Sequence, residues 1–316
     1  MRSAAGMGLE ALTVAVFSYN RGNYLSHCLD SIARNMPGAV VRVYDDRSDD
    51  PATCATLRDL AVPVVQPDAI EKAQHGGLYA NMQRALDQVE TPYLLFLQDD
   101  MQVVRPVDAD DLAVIAAIFL ADADCAFLSP LFMKAANARK LRAQYEAVAA
   151  PRCYRVAARI ERAQMRYAFA DVCVMDVARV RAAGFRILPG EGLNEVQAKE
   201  KFSQMPLMAD PFAFYCPEVP TFRNRKRPLS GRLARSRGLG FHDLTAQETA
   251  ALRQRAPDRW PFAEDFLTAV EPKVRRPFVF QDFQGSTPLR ILARLEYFAA
   301  SGRRRLRRGR KALGMG

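Results

Sequence analysis

The chain has no pair of cysteines at CxxC spacing, and no histidine stands beside a cysteine at metal-ligand spacing. Its six cysteines, Cys28, Cys54, Cys125, Cys153, Cys173 and Cys216, are scattered over 316 residues. This pattern gives neither a zinc motif nor a disulfide framework, and the thiols read as buried groups of a cytoplasmic protein. Long apolar runs are also missing. The longest, Leu112 to Ala121, is ten residues, about half of the roughly 20 needed to span a bilayer, and it reads as a buried helix. The N-terminus has one Arg and no sustained apolar core before the first strand, so no signal peptide is expected. No internal repeat is found. What remains is a chain close to half apolar, with ordinary Gly and Pro content, suited to one large or two small globular domains.

Charge is placed rather than diffuse. The formal net charge is +10, yet Arg223 to Arg237 and Arg303 to Lys311 each hold seven basic residues and no acidic one. The rest of the chain is therefore mildly acidic, and each basic run invites a local anionic partner.

The acidic residues show a pattern of their own. Tyr93 to Leu97 is an apolar strand that ends in Asp99-Asp100. An earlier strand, Ala39 to Tyr44, ends in Asp45-Asp46. Two adjacent carboxylates at the end of a buried strand are costly unless a cation meets them. In an open α/β sheet that edge is where ligands bind, and a hard divalent metal with oxygen ligands is the natural cation. The alternative for Asp99-Asp100 is a solvated turn, but two strands delivering acidic pairs to one edge favour a site.

Strands and amphipathic helices alternate up to residue 100. Leu12 to Phe17 is a strand, and Asn23 to Ile32 a helix with Tyr24, Leu25, Cys28, Leu29 and Ile32 on one face. A helix from Pro51 to Leu60 and a short strand at 62–65 follow. Leu78 to Val89 is a helix with Leu78, Met82, Ala85, Leu86 and Val89 inward. This rhythm implies an α/β fold with a mostly parallel sheet between helices. Further on, Leu112 to Leu120 is expected as a helix, and Ala126 to Leu131 and Ala170 to Met175 as strands. Residues 134–168 read as basic and irregular, 190–205 as a loop entering a helix, and 217–286 resist assignment. Pro288 fits a helix start, with Leu289, Leu292 and Leu295 on one face.

Taken in order, these segments resemble glycosyltransferase family 2, the inverting enzymes of GT-A fold. Val14 to Arg21 is similar to the family's first strand and loop, and Leu25 to Ile32 to its first helix. Val43-Tyr44-Asp45-Asp46-Arg47-Ser48-Asp49-Asp50 resembles the nucleotide-binding turn usually written DDGS, with Arg47 in place of Gly. Gly77 to Asn81 resembles the segment before the metal motif, and Gln98-Asp99-Asp100 stands where the DxD-type motif lies. Ala183-Gly184-Phe185 and Glu191 to Glu195 resemble the acceptor segment that ends in the catalytic carboxylate, with Asn194-Glu195 where an acidic pair is commoner. The resemblance covers about residues 12–205.

It implies a metal-dependent, inverting glycosyltransferase that moves a sugar from a nucleotide-diphosphate sugar, such as a UDP-sugar, to a hydroxyl of a glycan or lipid-linked acceptor. Tyr19 and Arg21 would lie on the donor side, with Tyr19 stacking on the base or else packing in the core. Asp46 would accept from a pyrimidine imide or else cap a helix. Gly76-Gly77 would let the backbone approach the donor, and Asn81 would touch it or cap locally. Asp99 would contact ribose or sugar, and Asp100 would hold Mn²⁺ or Mg²⁺. His242, as a late metal ligand or a surface residue, completes the metal set. Arg223, Arg225, Lys226 and Arg227 would clamp the diphosphate from a loop or form a solvated basic segment. Glu195 is the first choice of general base, with Glu191 second.

The expected organisation is a catalytic domain at 12–220, with a donor half at 12–105 and an acceptor half at 106–220. A basic segment at 221–286 would close the site, and 287–316 would form an amphipathic helix and basic tail. Residues 289–311 would suit an anionic membrane surface, placing the protein in the cytoplasm or on the inner face of the cell membrane. Two competing readings remain. A sugar-phosphate nucleotidyltransferase would favour a Gly-rich basic loop after the first strand, where Ser18 to Gly22 offers one Gly and one Arg. A non-catalytic nucleic-acid-binding or scaffold protein would interleave aromatics with its arginines, and 303–311 does not, so no nucleic acid is expected.

Overall fold

A computed structural model describes residues 8–68, 77–161, 164, 167–217, 229, 239–272, 274, 276, 278, 287–292, 294–296 and 298–299. The first half alternates as its sequence predicts. In order come β1 (Leu12–Ser18), α1 (Gly22–Asn35), β2 (Val40–Asp45), α2 (Pro51–Arg58), β3 (Val64–Val65), α3 (Leu78–Gln88) and β4 (Tyr93–Gln98). The central sheet has the order β3-β2-β1-β4-β9-β6, where β6 is Phe127–Leu128 and β9 is Val174–Asp176. The pairs β2–β3, β1–β2 and β1–β4 are parallel, whereas β9 runs antiparallel to both β4 and β6. The expected α/β class and mostly parallel sheet are both present.

Strand periodicity divides the core in two. Val14, Val16, Leu95 and Leu97 pack on one side of the sheet with Leu25, Cys28 and Ile32 of α1. Leu112, Ile115 and Phe119 of α4 (Ala109–Leu120) join them. Ala15, Phe17, Leu94 and Phe96 pack on the other side with Met82, Ala85 and Leu86 of α3. Both faces of β1 and β4 are covered, which is why these strands read as continuous apolar runs.

Several expectations needed revision. The run at 134–168 is not irregular. It holds α5 (Ala138–Gln144) and an antiparallel hairpin of β7 (Tyr145–Val148) and β8 (Cys153–Val156). Strand β10 (Leu207–Met208) adds to β8. Only a few inward positions there are large and apolar, among them Leu141, Tyr145 and Tyr154, so no long periodic run announces them. Helix α4 begins three residues before the apolar run because Asp108 caps it: Asp108 Oδ1 accepts from the Asp111 amide, and the Asp111 carboxylate accepts from the Asp108 amide. Past residue 240, α8 (Ala246–Gln254) starts on a Thr245–Glu248 capping box, and α9 (Ala263–Phe266) follows. Phe241, Leu244 and Leu252 close over Val104, Phe132 and Phe214.

The strands at 126–131 and 170–175 are shorter than expected, at β6 and β9. After β9 in the chain come α6 (Val177–Ala182), α7 (Glu191–Lys201) and β11 (Ala213–Tyr215), with β11 antiparallel to β5 (Met101–Val103). Residues 287–292 are helical. Leu289 and Leu292 there are half-buried, while Leu295 and Phe298 are exposed. The basic tail 303–311 lies outside the described residues. Among those described, no helix is long and apolar enough to cross a membrane, and all six cysteines are free thiols.

One charged cluster joins the two halves. Arg105, fully buried, pairs bidentately with Asp111 at 2.8 Å on both arms. It also donates to the carbonyls of Pro106, Asp210 and Pro211. Removing one partner of such a pair strands a buried charge, which costs about 3–5 kcal/mol. Asp111→Ala is expected to lower the unfolding free energy by about that amount, read as a shift of the urea midpoint at unchanged m-value.

Candidate active site

Register gathers the site. Ser18 of β1 stands level with Asp45 of β2, and Phe17 with Gln98 of β4. The three parallel strands therefore end together, and the residues after them meet at one edge: Tyr19 to Arg21, Asp46, and Asp99-Asp100. Two backbone bonds extend the alignment past the strands. Asp46 N donates to Ser18 O at 3.0 Å, and Asp99 N donates to Phe17 O at 2.9 Å.

Asp99 and Asp100 are each 2% exposed. The cation they require is in the chain. Arg21 Nη1 lies 2.9 Å from both Asp99 Oδ1 and Asp100 Oδ2, and Tyr19 N donates to Asp99 Oδ2 at 3.2 Å. Burial by itself would disfavour the charged guanidinium, but the two carboxylates outweigh it and hold Arg21 more firmly protonated than usual. Burial also raises the Asp99 carboxyl above its ordinary range, with Arg21 pulling it down and Asp100 pushing it up. Asp100 Oδ1 is buried and has no hydrogen-bond partner among the described residues. A buried carboxylate oxygen facing nothing is expensive, so a cation ligand suits it.

The neighbouring turn divides its two carboxylates by task. Asp45 is spent on structure, accepting from Ser48 N, Ser48 Oγ and Gln66 Nε2. Asp46 Oδ1 accepts from Gly77 N at 2.8 Å, which joins the turn to the start of α3. Gly77 has φ 106°, a left-handed conformation that a side chain would strain. Asn81 is buried in the first turn of α3 and accepts from Arg84 at 2.8 Å. Arg47, which replaces Gly in the motif, has φ 52°. The turn thus keeps a glycine-like backbone with an arginine in it, at a conformational cost of about 1–2 kcal/mol. Asp50 caps α2 through Thr53 N and Oγ1, leaving Asp46 free of that duty.

Across the edge stands a second group, only part of which the sequence points to. Glu195 Oε2 accepts from the backbone amides of Ala168 and Phe169 at 2.9 and 2.8 Å. Its Oε1 lies 3.2 Å from Lys199 Nζ. Asn194 beside it is fully buried and brackets the turn at 188–190 with three hydrogen bonds. The Asn194-Glu195 pair therefore holds backbone. Glu191 is different: it is exposed, in the first turn of α7.

Glu191 faces Asp171, a residue to which no motif points. Asp171 Oδ2 accepts from Tyr79 OH at 3.0 Å, and that hydroxyl in turn accepts from the Glu191 amide. Burial first, and the charge of Glu191 second, push Asp171 up to about 7, with the Tyr79 hydrogen bond opposing. The Tyr215 hydroxyl is held un-ionised by burial and by the surrounding charges of Asp100, Glu191 and Asp171. Tyr215 is thus within electrostatic reach of both Asp100 and the Asp171 cluster, with Lys134 Nζ 4.4 Å from its ring centroid. Topology explains why Asp171 belongs here. β9 is antiparallel, so its amino end lies on the carboxyl edge of β4. The register Leu95↔Val174, carried on by Phe96 N donating to Cys173 O, brings 171 level with Gln98. An Asp immediately before the apolar run Val172-Cys173-Val174 was the signal available in the sequence.

His242 is exposed, and its backbone amide donates to Thr268 O. Its neighbour Phe241 exchanges two bonds with Gln102 of β5, so the segment lies near the acidic edge. Among the described residues no group of three or more His, Cys, Asp or Glu is arranged to hold a metal. His75, Gly76, Arg223, Arg225, Lys226 and Arg227 lie outside the described residues.

Residues 13–132 match the model of "Glycosyl transferase family 2", and over that span the chain carries a domain of this family. No curated protein matches the chain. Among solved structures it is similar to S. aureus TarS 1-349, at 18% identity and TM-score 0.45, covering 65% of this chain and 60% of that one. It is similar to a mannosyltransferase from Pyrobaculum calidifontis in complex with GDP-Man and Mn²⁺, at 15% identity and TM-score 0.43, covering 66% and 59%. A third is glucosyl-3-phosphoglycerate synthase from Mycobacterium tuberculosis with Mn²⁺ and UDP-Glc, at 12% identity and TM-score 0.39, covering 66% and 72%. The chain thus spans less than two thirds of the first two.

The role of Glu195 is open to a direct check. Glu195→Ala leaves two amides of the core segment at 168–169 unsatisfied, at about 1–3 kcal/mol each. Glu195→Gln retains an accepting oxygen. Thermal unfolding should therefore show a large loss for the alanine variant and a much smaller one for the glutamine variant.

Proposed function

We propose that the chain is a metal-dependent, inverting glycosyltransferase that moves a sugar from a nucleotide-diphosphate sugar to a hydroxyl of a glycan or lipid-linked acceptor. The observation that carries this reading is the buried Asp99-Asp100 pair at the carboxyl edge of β4, inside the family 2 domain, with Asp100 Oδ1 unpartnered among the described residues. The donor set suits a hard divalent ion. Mg²⁺ is commonly bound by one or two carboxylates and completed by substrate phosphates, so two protein carboxylates are sufficient. Asp100 would hold Mn²⁺ or Mg²⁺. Bound there, the ion would act as a Lewis acid on the diphosphate leaving group. His242, exposed and in no cluster with these carboxylates, is left out of the metal set.

The remaining donor roles follow from position. Asp46 takes the base through its carboxylate, with Gly77 fixing it from behind, and Tyr19 stacks on the ring. Asp99 reaches ribose or sugar. Arg21 balances the charge of the two carboxylates and fixes one oxygen of each. Gly77 and Asn81 line the approach at the start of α3. Arg225 and Lys226 are assigned to the diphosphate on charge alone. Inversion needs one base opposite the leaving group; for Glu195, with Oε2 on two amides and Oε1 beside Lys199, a positioning role is proposed in place of that of the base. The basic tail, with Leu295 and Phe298 exposed ahead of it, is proposed to rest on an anionic membrane surface beside a lipid-linked acceptor.

Calorimetry tests the metal and the donor together. UDP and GDP are titrated into the protein with Mn²⁺ and again with EDTA. One of the two should bind at least tenfold tighter with Mn²⁺. Asp100→Asn, which keeps the size of the side chain, should abolish that gain. Equal affinity with and without metal in the unaltered protein would sink the metal assignment. If neither nucleotide binds, the donor assignment fails.

A further inference from the structure

We propose that Asp171, held by Tyr79 and facing Glu191, is the group that takes the proton from the acceptor hydroxyl. The inference rests on the glycosyl-transfer reading and names a catalytic residue within it.

Three observations converge. The antiparallel course of β9 brings Asp171 to the same edge as Asp99 and Asp100, level with Gln98. Its Oδ1 is buried with no hydrogen-bond partner among the described residues, while Oδ2 is fixed by Tyr79 OH. One oxygen is therefore oriented and the other, buried, lacks the partner that a hydroxyl proton would supply. Tyr215 lies within electrostatic reach of Asp100, Asp171 and Glu191 together, which puts the Asp100 and Asp171 groups about one site.

Among the described residues, four groups act on or respond to Asp171. Tyr79 comes from α3, Glu191 from α7 and Tyr215 from β11, and Cys173 lies on its own strand. None of these is a cation. Burial and Glu191 push Asp171 up to about 7, which makes it a stronger base than an ordinary carboxylate, near the value that suits a general base. Glu191, in this scheme, is a positioning residue.

The step balances. The acceptor oxygen forms a bond to the anomeric carbon as its proton passes to Asp171 Oδ1. The bond from that carbon to the diphosphate oxygen breaks, and its electron pair leaves with the nucleotide diphosphate. The proton on Asp171 is then lost to solvent.

The test uses the full chain with Mn²⁺ and water as the acceptor, following release of UDP or GDP from UDP-glucose, UDP-N-acetylglucosamine and GDP-mannose. For the donor that turns over, Asp171→Asn should lower the rate by about 10²–10⁴-fold, with donor affinity by calorimetry changed less than about threefold. Sodium azide, a nucleophile that needs no base, should restore release in Asp171→Asn and yield a glycosyl azide. The pH profile supplies a readout that packing alone would not move. The rate should fall as pH drops through about 7, because protonation removes the base. Glu191→Gln removes the charge that raises Asp171, so this limb should move to lower pH. Tyr79→Phe removes the hydrogen bond that lowers it, so the limb should move to higher pH. Donor binding retained together with a rate within threefold in Asp171→Asn would overturn the assignment while leaving the glycosyl-transfer reading intact. Acid limbs unmoved in both flanking variants would also overturn it. No turnover of any donor by the unaltered protein would count against both.

Discussion

Two carboxylates buried side by side at the end of a strand can stay ionised only next to a cation, and Arg21 is the cation this chain provides. The pairing does more than neutralise. Arg21 is also the residue that caps α1, and its carbonyl accepts the first helical bond, from Leu25 N at 2.9 Å. The end of β1, the start of α1 and the end of β4 are thus tied through a single side chain. Because the guanidinium spans Asp99 and Asp100 with one nitrogen, it leaves Asp100 Oδ1 unused. The carboxylates at this edge are thus paired within the chain, yet one accepting atom is left without a partner among the described residues.

The donor half was legible because its signals are local. Apolar runs ending in Asp pairs give strands and their carboxyl ends directly, and parallel pairing of neighbouring strands then places those ends together. Even the departure at Arg47 was visible as a departure. Its outcome, an arginine at φ 52°, depends on backbone that the sequence does not display. The second half was less legible because its elements are short and its apolar positions few. The hairpin at 145–156 has polar or half-buried residues at Glu146, Arg155 and Val156, so strand alternation is hard to separate from a loop.

The acceptor side shows a different kind of blindness. Glu195 lies in an acidic stretch at a helix start, which suits either a base or a structural acceptor, and only its partners separate the two. Two amides at under 3 Å fix one oxygen in place, and the other pairs with Lys199 at 3.2 Å while accepting no hydrogen bond among the described residues. Asp171 carried no motif. Its relevance comes from β9 running backwards, so that the start of one strand adjoins the end of another. Sequence order conceals that adjacency, since 70 residues, and with them β5, α4, β6, α5, β7 and β8, lie between Asp100 and Asp171.

The two sides of the edge differ in how their charge is balanced, and the difference has a chemical direction. Asp99 and Asp100 have a guanidinium at 2.9 Å, which lowers the cost of being ionised. Asp171 has burial and a neighbouring carboxylate instead, which raise that cost, and the Tyr79 hydroxyl offsets only part of it. In a transfer reaction negative charge accumulates on the departing diphosphate while a proton leaves the attacking oxygen. Cations on the first side and a reluctant carboxylate on the second match both halves of that movement. Exchanging them would place the weaker base beside the acceptor and leave the leaving-group charge uncompensated.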